Sequence, residues 1–139
     1  MMKTIAKYLS FCLLASPLLL QAEIVVITHI ENSVSVISKT EIQSIFMGRT
    51  RAFANGIKAV PYDFSVMRGQ FYPLLTKRSV RQIDAYWARI VFSGQGMPPV
   101  QLTSAKYILS AVQENKGAIA YIDRDSIKGS KVRVLFSLE

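Results

Sequence analysis

Asp63, Ser65 and Arg68 lie close together in the stretch DFSVMR, directly after the run IKAVPY. A strand that ends near Asp63 and feeds a helix would place these side chains at a helix mouth. In an open α/β sheet, ligands gather at the carboxyl ends of strands, where helix N-termini offer unpaired amide hydrogens and a partial positive charge. A small oxyanion fits such a mouth. Ser65 would donate its hydroxyl, the amides of Met67 and Arg68 would face outward, and the Arg68 guanidinium would hold two oxygens at once, with Asp63 beside them. The plainer reading makes Ser65 an N-cap and Arg68 a solvent-facing charge.

Other residue types with chemical potential point to no reaction. His29 is the only histidine, and no cysteine or serine pair stands beside it, so a catalytic triad lacks its base and orienter. It reads as a strand-end residue. Asp123 and Asp125 flank Arg124, an arrangement open to acid–base work or a hard metal. Turn formation and ion pairing explain them more simply. The expectation is a non-enzymatic protein without cofactor or metal.

Residues 1–22, MMKTIAKYLSFCLLASPLLLQA, combine Lys3 and Lys7 with a short apolar stretch and a small residue at the end. They read as a cleaved secretory signal and not as a membrane span, which places the mature chain in the periplasm with no integral membrane segment. Cys12 follows the bulky Phe11, against a lipoprotein attachment site. Removing the leader removes that only cysteine, and with it disulfides, thiol catalysis and cysteine-bound zinc. The 117 residues left, 23–139, suit one domain.

With Lys3 and Lys7 gone, the net charge falls from +8 to +6. The excess is concentrated: Arg49, Arg51, Lys58, Arg68, Lys77, Arg78, Arg81 and Arg89 meet only Asp63 and Asp84 in that part of the chain. Such a face calls for an anionic partner, namely an oxyanion, an acidic envelope protein or lipid headgroups. A solvated basic face that only keeps the protein soluble is the simpler alternative. A nucleic-acid partner is not expected for an exported chain.

The elements that would position these groups follow from patterning. Residues 23–28, EIVVIT, form a continuous β-branched run, as for a strand buried on both faces. Ser38 with Glu41 makes a capping box for a helix carrying Ile42, Ile45 and Phe46 up to Gly48. After a turn at 54–56, residues 57–62 read as a strand, with Pro61 marking its end or a sheet edge. A helix over 66–75 contains Pro73, which kinks or divides it. Ser79 with Gln82 opens another helix, on which Ile83, Tyr86, Trp87, Ile90 and Val91 recur at helical spacing. Tyr86, Trp87, Phe92 and Tyr121 read as core aromatics and not as a stacking platform.

Residues 93–103, SGQGMPPVQLT, read as a loop, either a rigid turn or a docking surface. Ser104 caps a further helix, and residues 118–122 and 131–136 read as strands. Together these elements predict one α/β domain, a single three-layer lobe around a mostly parallel or mixed central sheet. No internal repeat or linker divides it.

Three ordered motifs carry a family resemblance: Ser38-x-x-Glu41-x-x-x-Ile45-Phe46-Met47-Gly48, then Ser65-x-x-Arg68-x-x-Phe71, then Gly117-Ala118-Ile119-Ala120-Tyr121-Ile122. The chain resembles the periplasmic phosphate-binding proteins of ABC importers, over a length equal to little more than one lobe of that two-lobe family. The resemblance implies a type II periplasmic-binding-protein lobe. It also implies a family ligand, phosphate, held by serine, threonine, glycine-amide and arginine groups from both lobes.

Ser65 and Arg68 match the family's Ser-Gly-Thr-Arg phosphate loop, but Val66 and Met67 occupy its glycine and threonine positions. Valine restricts the backbone where glycine permits close approach, and methionine supplies no hydroxyl. The other lobe's phosphate loop has no counterpart. About three charge-assisted hydrogen bonds at about 1.5–3 kcal/mol each, against an association cost of at least about 4 kcal/mol, leave an affinity on the order of millimolar. Two expectations follow: a weak phosphate or oxyanion binder, or a lobe that has lost its ligand and serves as an interaction module of an envelope complex. A homodimer that supplies a second wall is compatible with the first.

Overall fold

The computed structural model describes residues 22–139, so residues 1–21 of the expected leader, with Cys12, lie outside the described residues. The chain runs β1 (Ile24–His29), α1 (Lys39–Phe46), β2 (Val60–Phe64), α2 (Arg68–Thr76), α3 (Val80–Phe92), β3 (Val100–Leu102), α4 (Ala105–Glu114), β4 (Ala118–Asp123) and β5 (Val132–Leu138). Short 3-10 turns at Ser65–Met67 and Arg124–Ile127 complete it.

The five strands form one sheet in the order β3-β2-β4-β1-β5. β2 is parallel to β3 and β4, whereas β1 is antiparallel to β4 and β5, so the sheet is mixed. The two central apolar runs, β1 and β4, are buried along nearly their whole length, as expected of strands covered on both faces. α4 packs over β4 and β1 through Ile108 and Val112. α1 and α2 pack on the sheet through Phe46, Phe71 and Tyr121, with Phe71 and Tyr121 stacked at 3.6 Å between ring centroids, and α3 packs beside α2. Sheet and helices make the three layers of an α/β lobe.

Both predicted capping boxes are present, Ser38 with Glu41 and Ser79 with Gln82, and Ser104 caps α4. Three local readings are corrected. The second strand begins at Val60, because Ile57 and Lys58 close a tight hairpin turn back onto Phe53 and Ala52, with Gly56 in the left-handed region at φ 84°. Pro61 sits inside a strand with neighbours on both sides. Val60 N donates to Gly117 O, so alternation turns the Pro61 nitrogen toward β3, which begins only opposite Tyr62. The loop expected over 93–103 contains the edge strand β3, three residues too short to give a periodic signal.

Phe92 is a further correction, for it is 95% exposed at the last position of α3, while Trp87 and Tyr121 are buried. Tyr86 is half-buried and donates its hydroxyl to Met47 O at 2.7 Å. Pro73 leaves α2 undivided. His29 ends β1, Asp123 caps a 3-10 turn and Asp125 pairs with Lys128 at 3.3 Å, all structural roles. Among the described residues no helix is long and apolar enough to cross a membrane, and no His, Cys, Asp and Glu cluster is fit to hold a metal.

Two glycines test this packing in opposite directions. A Cβ on Gly117 would fall 2.0 Å from Lys58 O, a backbone atom, so the turn into β4 admits no side chain without a backbone shift. Gly69 lies in α2 with open space around it. Gly117→Ala is expected to lower stability by about 1–3 kcal/mol in urea unfolding. Gly69→Ala should raise it by about 0.5–1 kcal/mol. A Gly117→Ala midpoint equal to the parent's would contradict the close strand approach.

Candidate functional site

The stretch from Asp63 to Arg68 lies where β2 gives way to α2. Asp63 is the fourth residue of β2, and alternation directs its side chain into the helical layer instead of toward solvent. Phe64 holds the extended capping position, Ser65 to Met67 make a 3-10 turn, and α2 begins at Arg68. No side chain caps either helical start. Ser65 is therefore the first residue of the turn and not its cap.

The five residues point in different directions. Val66, where the phosphate-protein loop carries glycine, is 71% exposed. Met67 turns its side chain into the core. Ser65 is half-buried. Asp63 and Arg68 meet: the Arg68 Nε donates to Asp63 Oδ2 at 3.1 Å, and a terminal guanidinium nitrogen donates to Asp84 Oδ1 at 2.7 Å. The structure thus brings Asp63 and Arg68 into contact, leaves Ser65 and Val66 at the surface, and adds Asp84 from α3.

Asp63 is the centre of a buried network. Its side chain is 2% exposed. Oδ1 accepts the Tyr72 hydroxyl at 2.7 Å and the Tyr121 hydroxyl at 3.1 Å, while Oδ2 accepts Arg68. The guanidinium carbon also stands 5.6 Å above the Tyr72 ring, a cation–π distance. β2, α2, α3 and β4 all contribute a side chain. A carboxylate removed from water costs several kcal/mol unless hydrogen bonds and an opposite charge replace hydration. Here three donors replace it.

Burial pushes the Asp63 carboxyl above the ordinary carboxylate range, against the lowering pull of the Tyr72 hydroxyl, the Arg68 charge and the Tyr121 hydroxyl. Burial also opposes the charge on Arg68, but the hydrogen bond to Asp84 and the two carboxylate charges outweigh it and raise that pKa. Burial and the Asp63 charge hold both tyrosines far above the usual phenol range, so each remains a proton donor. Chemically the cluster is a locked ion pair.

Sequence reasoning placed Asp63, Ser65 and Arg68 together but missed Tyr72, Tyr121 and Asp84. Both tyrosines fall on apolar periodic stretches, where a ring reads as core. Asp84 lies 16 residues from Arg68 on an outward position of α3. The signal available was scarcity: Asp63 and Asp84 are the only carboxylates in a segment with eight cations.

The network has a pH signature. A carboxyl whose native pKa is raised favours the folded state at low pH, and that contribution is lost as pH rises from the ordinary carboxylate value through the native one. In urea unfolding from about pH 4 to about pH 7, the stability of the parent minus that of Asp63→Asn should decline with rising pH. A difference that grows instead would mean that the Arg68 pair outweighs burial.

No protein-family model and no curated protein sequence matches the chain. Solved structures do. An ABC-type phosphate transport receptor from Vibrio cholerae superposes at TM-score 0.63 with 13% identity, over 82% of this chain and 45% of the receptor. A protein assigned as a phosphate ABC transporter substrate-binding protein from Clostridium perfringens, with phosphate bound, gives 0.60 and 20%, over 82% and 44%. PstS from Borrelia burgdorferi gives 0.59 and 12%, over 82% and 46%. The chain spans less than half the length of each of these proteins. The fold is that of phosphate ABC transporter substrate-binding proteins, in the form of a partial, single lobe.

Proposed function

We propose that this chain is a periplasmic, non-catalytic binding lobe of phosphate-receptor architecture that acts by docking to another envelope protein, its own oxyanion locus being internally occupied. One observation carries this reading: the Arg68 guanidinium at the mouth of α2 is already bonded to Asp63 and Asp84. With both carboxylates charged, the cluster is net negative and repels a phosphate anion. Val66, 71% exposed, also carries a branched side chain where glycine would leave the backbone open to an oxyanion. The periplasmic location rests on the signal-like residues 1–22.

What remains available for a partner is the surface. Arg78, Arg81 and Arg89 are exposed on and just before α3, without carboxylate partners among the described residues. Such a face attracts an acidic partner.

A second reading, a weak oxyanion site at Ser65 and Arg68, draws support from Asp84. That side chain is 58% exposed, so the outer ion pair exchanges readily with solvent and ions. Guanidinium has five N–H donors, of which the carboxylates take two. Phosphate that displaced Asp84 would find Asp63 still holding the arginine in place.

Isothermal titration with inorganic phosphate separates the two. The docking reading expects no heat from the parent at millimolar phosphate. It also expects measurable binding to appear in Asp84→Ala and to vanish in Asp84→Ala/Arg68→Ala. Micromolar binding by the parent would overturn it in favour of a working receptor site.

A further inference from the structure

A separate cavity of about 540 Å³ opens at the other end of β2, between the turn after α1, α3 and the segment 95–99. Lys58 and Ala59, just before β2, line it, whereas Ser65 follows that strand. Its wall is mixed but more apolar than polar, with Met47, Trp87, Ile90 and Met97 among the wall residues. Gly48 admits the Trp87 ring: a Cβ there would lie 2.7 Å from the ring edge. The volume falls within the range of about 300–1,000 Å³ typical of small-molecule sites.

Two polar features give the cavity a sign. Arg51 and Lys58 are exposed at its border, and neither has a carboxylate partner among the described residues. No aspartate or glutamate lines it. Arg51 meanwhile reaches Gln95 O at a long 3.4 Å, a contact an anion would readily replace.

We infer that this cavity binds a small amphipathic anion: an apolar body against Met47, Ile90 and Met97, and a carboxylate or phosphate head at Arg51 and Lys58. Inorganic phosphate alone would forgo the apolar wall, and a neutral apolar molecule would forgo both cations. The site is independent of the Ser65 to Arg68 mouth and of the docking reading.

Trp87, the only tryptophan of the chain, lines the cavity and also the groove beside Arg68 and Asp84, so a fluorescence change is assigned to the cavity by its loss on substitution of Arg51 and Lys58. Decanoate and decyl phosphate, titrated as monomers, should each change its fluorescence saturably, which also separates the two head groups. Inorganic phosphate and decanol should not. Arg51→Gln/Lys58→Gln alters exposed side chains and should fold normally, yet weaken binding of both anions by about tenfold or more. Binding of either anion with that loss supports the site. No saturable change with either, equal affinity in the double variant, or an equal response to decanol would overturn it.

Discussion

A buried carboxylate must be given donors, and the placement of four elements around Asp63 follows from that need. The side chain sits in the sheet's helical layer, out of reach of bulk water, and takes hydrogen bonds from Tyr72, Tyr121 and Arg68. Removing any donor would leave polar surface unpaired in a low-dielectric interior, where the cost is highest. The end of β2, the first two turns of α2 and the middle of β4 are therefore fixed relative to one another by chemistry more directional than apolar packing. The Phe46, Phe71 and Tyr121 aromatic cluster then fills the space around that network.

The same constraint sets what the lobe can do. An arginine at a helix mouth serves anion capture only while its donors are free, and here one carboxylate orients the guanidinium from within while a second meets it from outside. Surface recognition does not depend on closure of a cleft, and Arg81 and Arg89 of α3 stand exposed without carboxylate partners among the described residues.

Local structure was largely legible in the amino-acid sequence because its causes are local. Two capping boxes, the Ser104 cap, and the continuous apolar runs of β1 and β4 act within a few residues, and each lies where its pattern predicts. Long-range pairing was not legible. That β1 runs antiparallel between β4 and β5, and that Pro61 escapes penalty because β3 starts late, depend on contacts distant in sequence. The site follows the same division. Adjacency brought Asp63 and Arg68 to notice, but the tyrosine donors and Asp84 come from the fold, and the two carboxylates engage the cation that the sequence placed at the mouth.

The central claim is that Asp63 and Asp84 already occupy the Arg68 guanidinium in the native protein. Nuclear magnetic resonance of the arginine Nε–H groups tests it most directly. The Arg68 Nε–H, bonded to a buried carboxylate, should exchange slowly with solvent near neutral pH and keep its chemical shift when millimolar phosphate is added. Rapid exchange, or a shift that follows phosphate concentration, would show a free cation at the mouth and contradict the account.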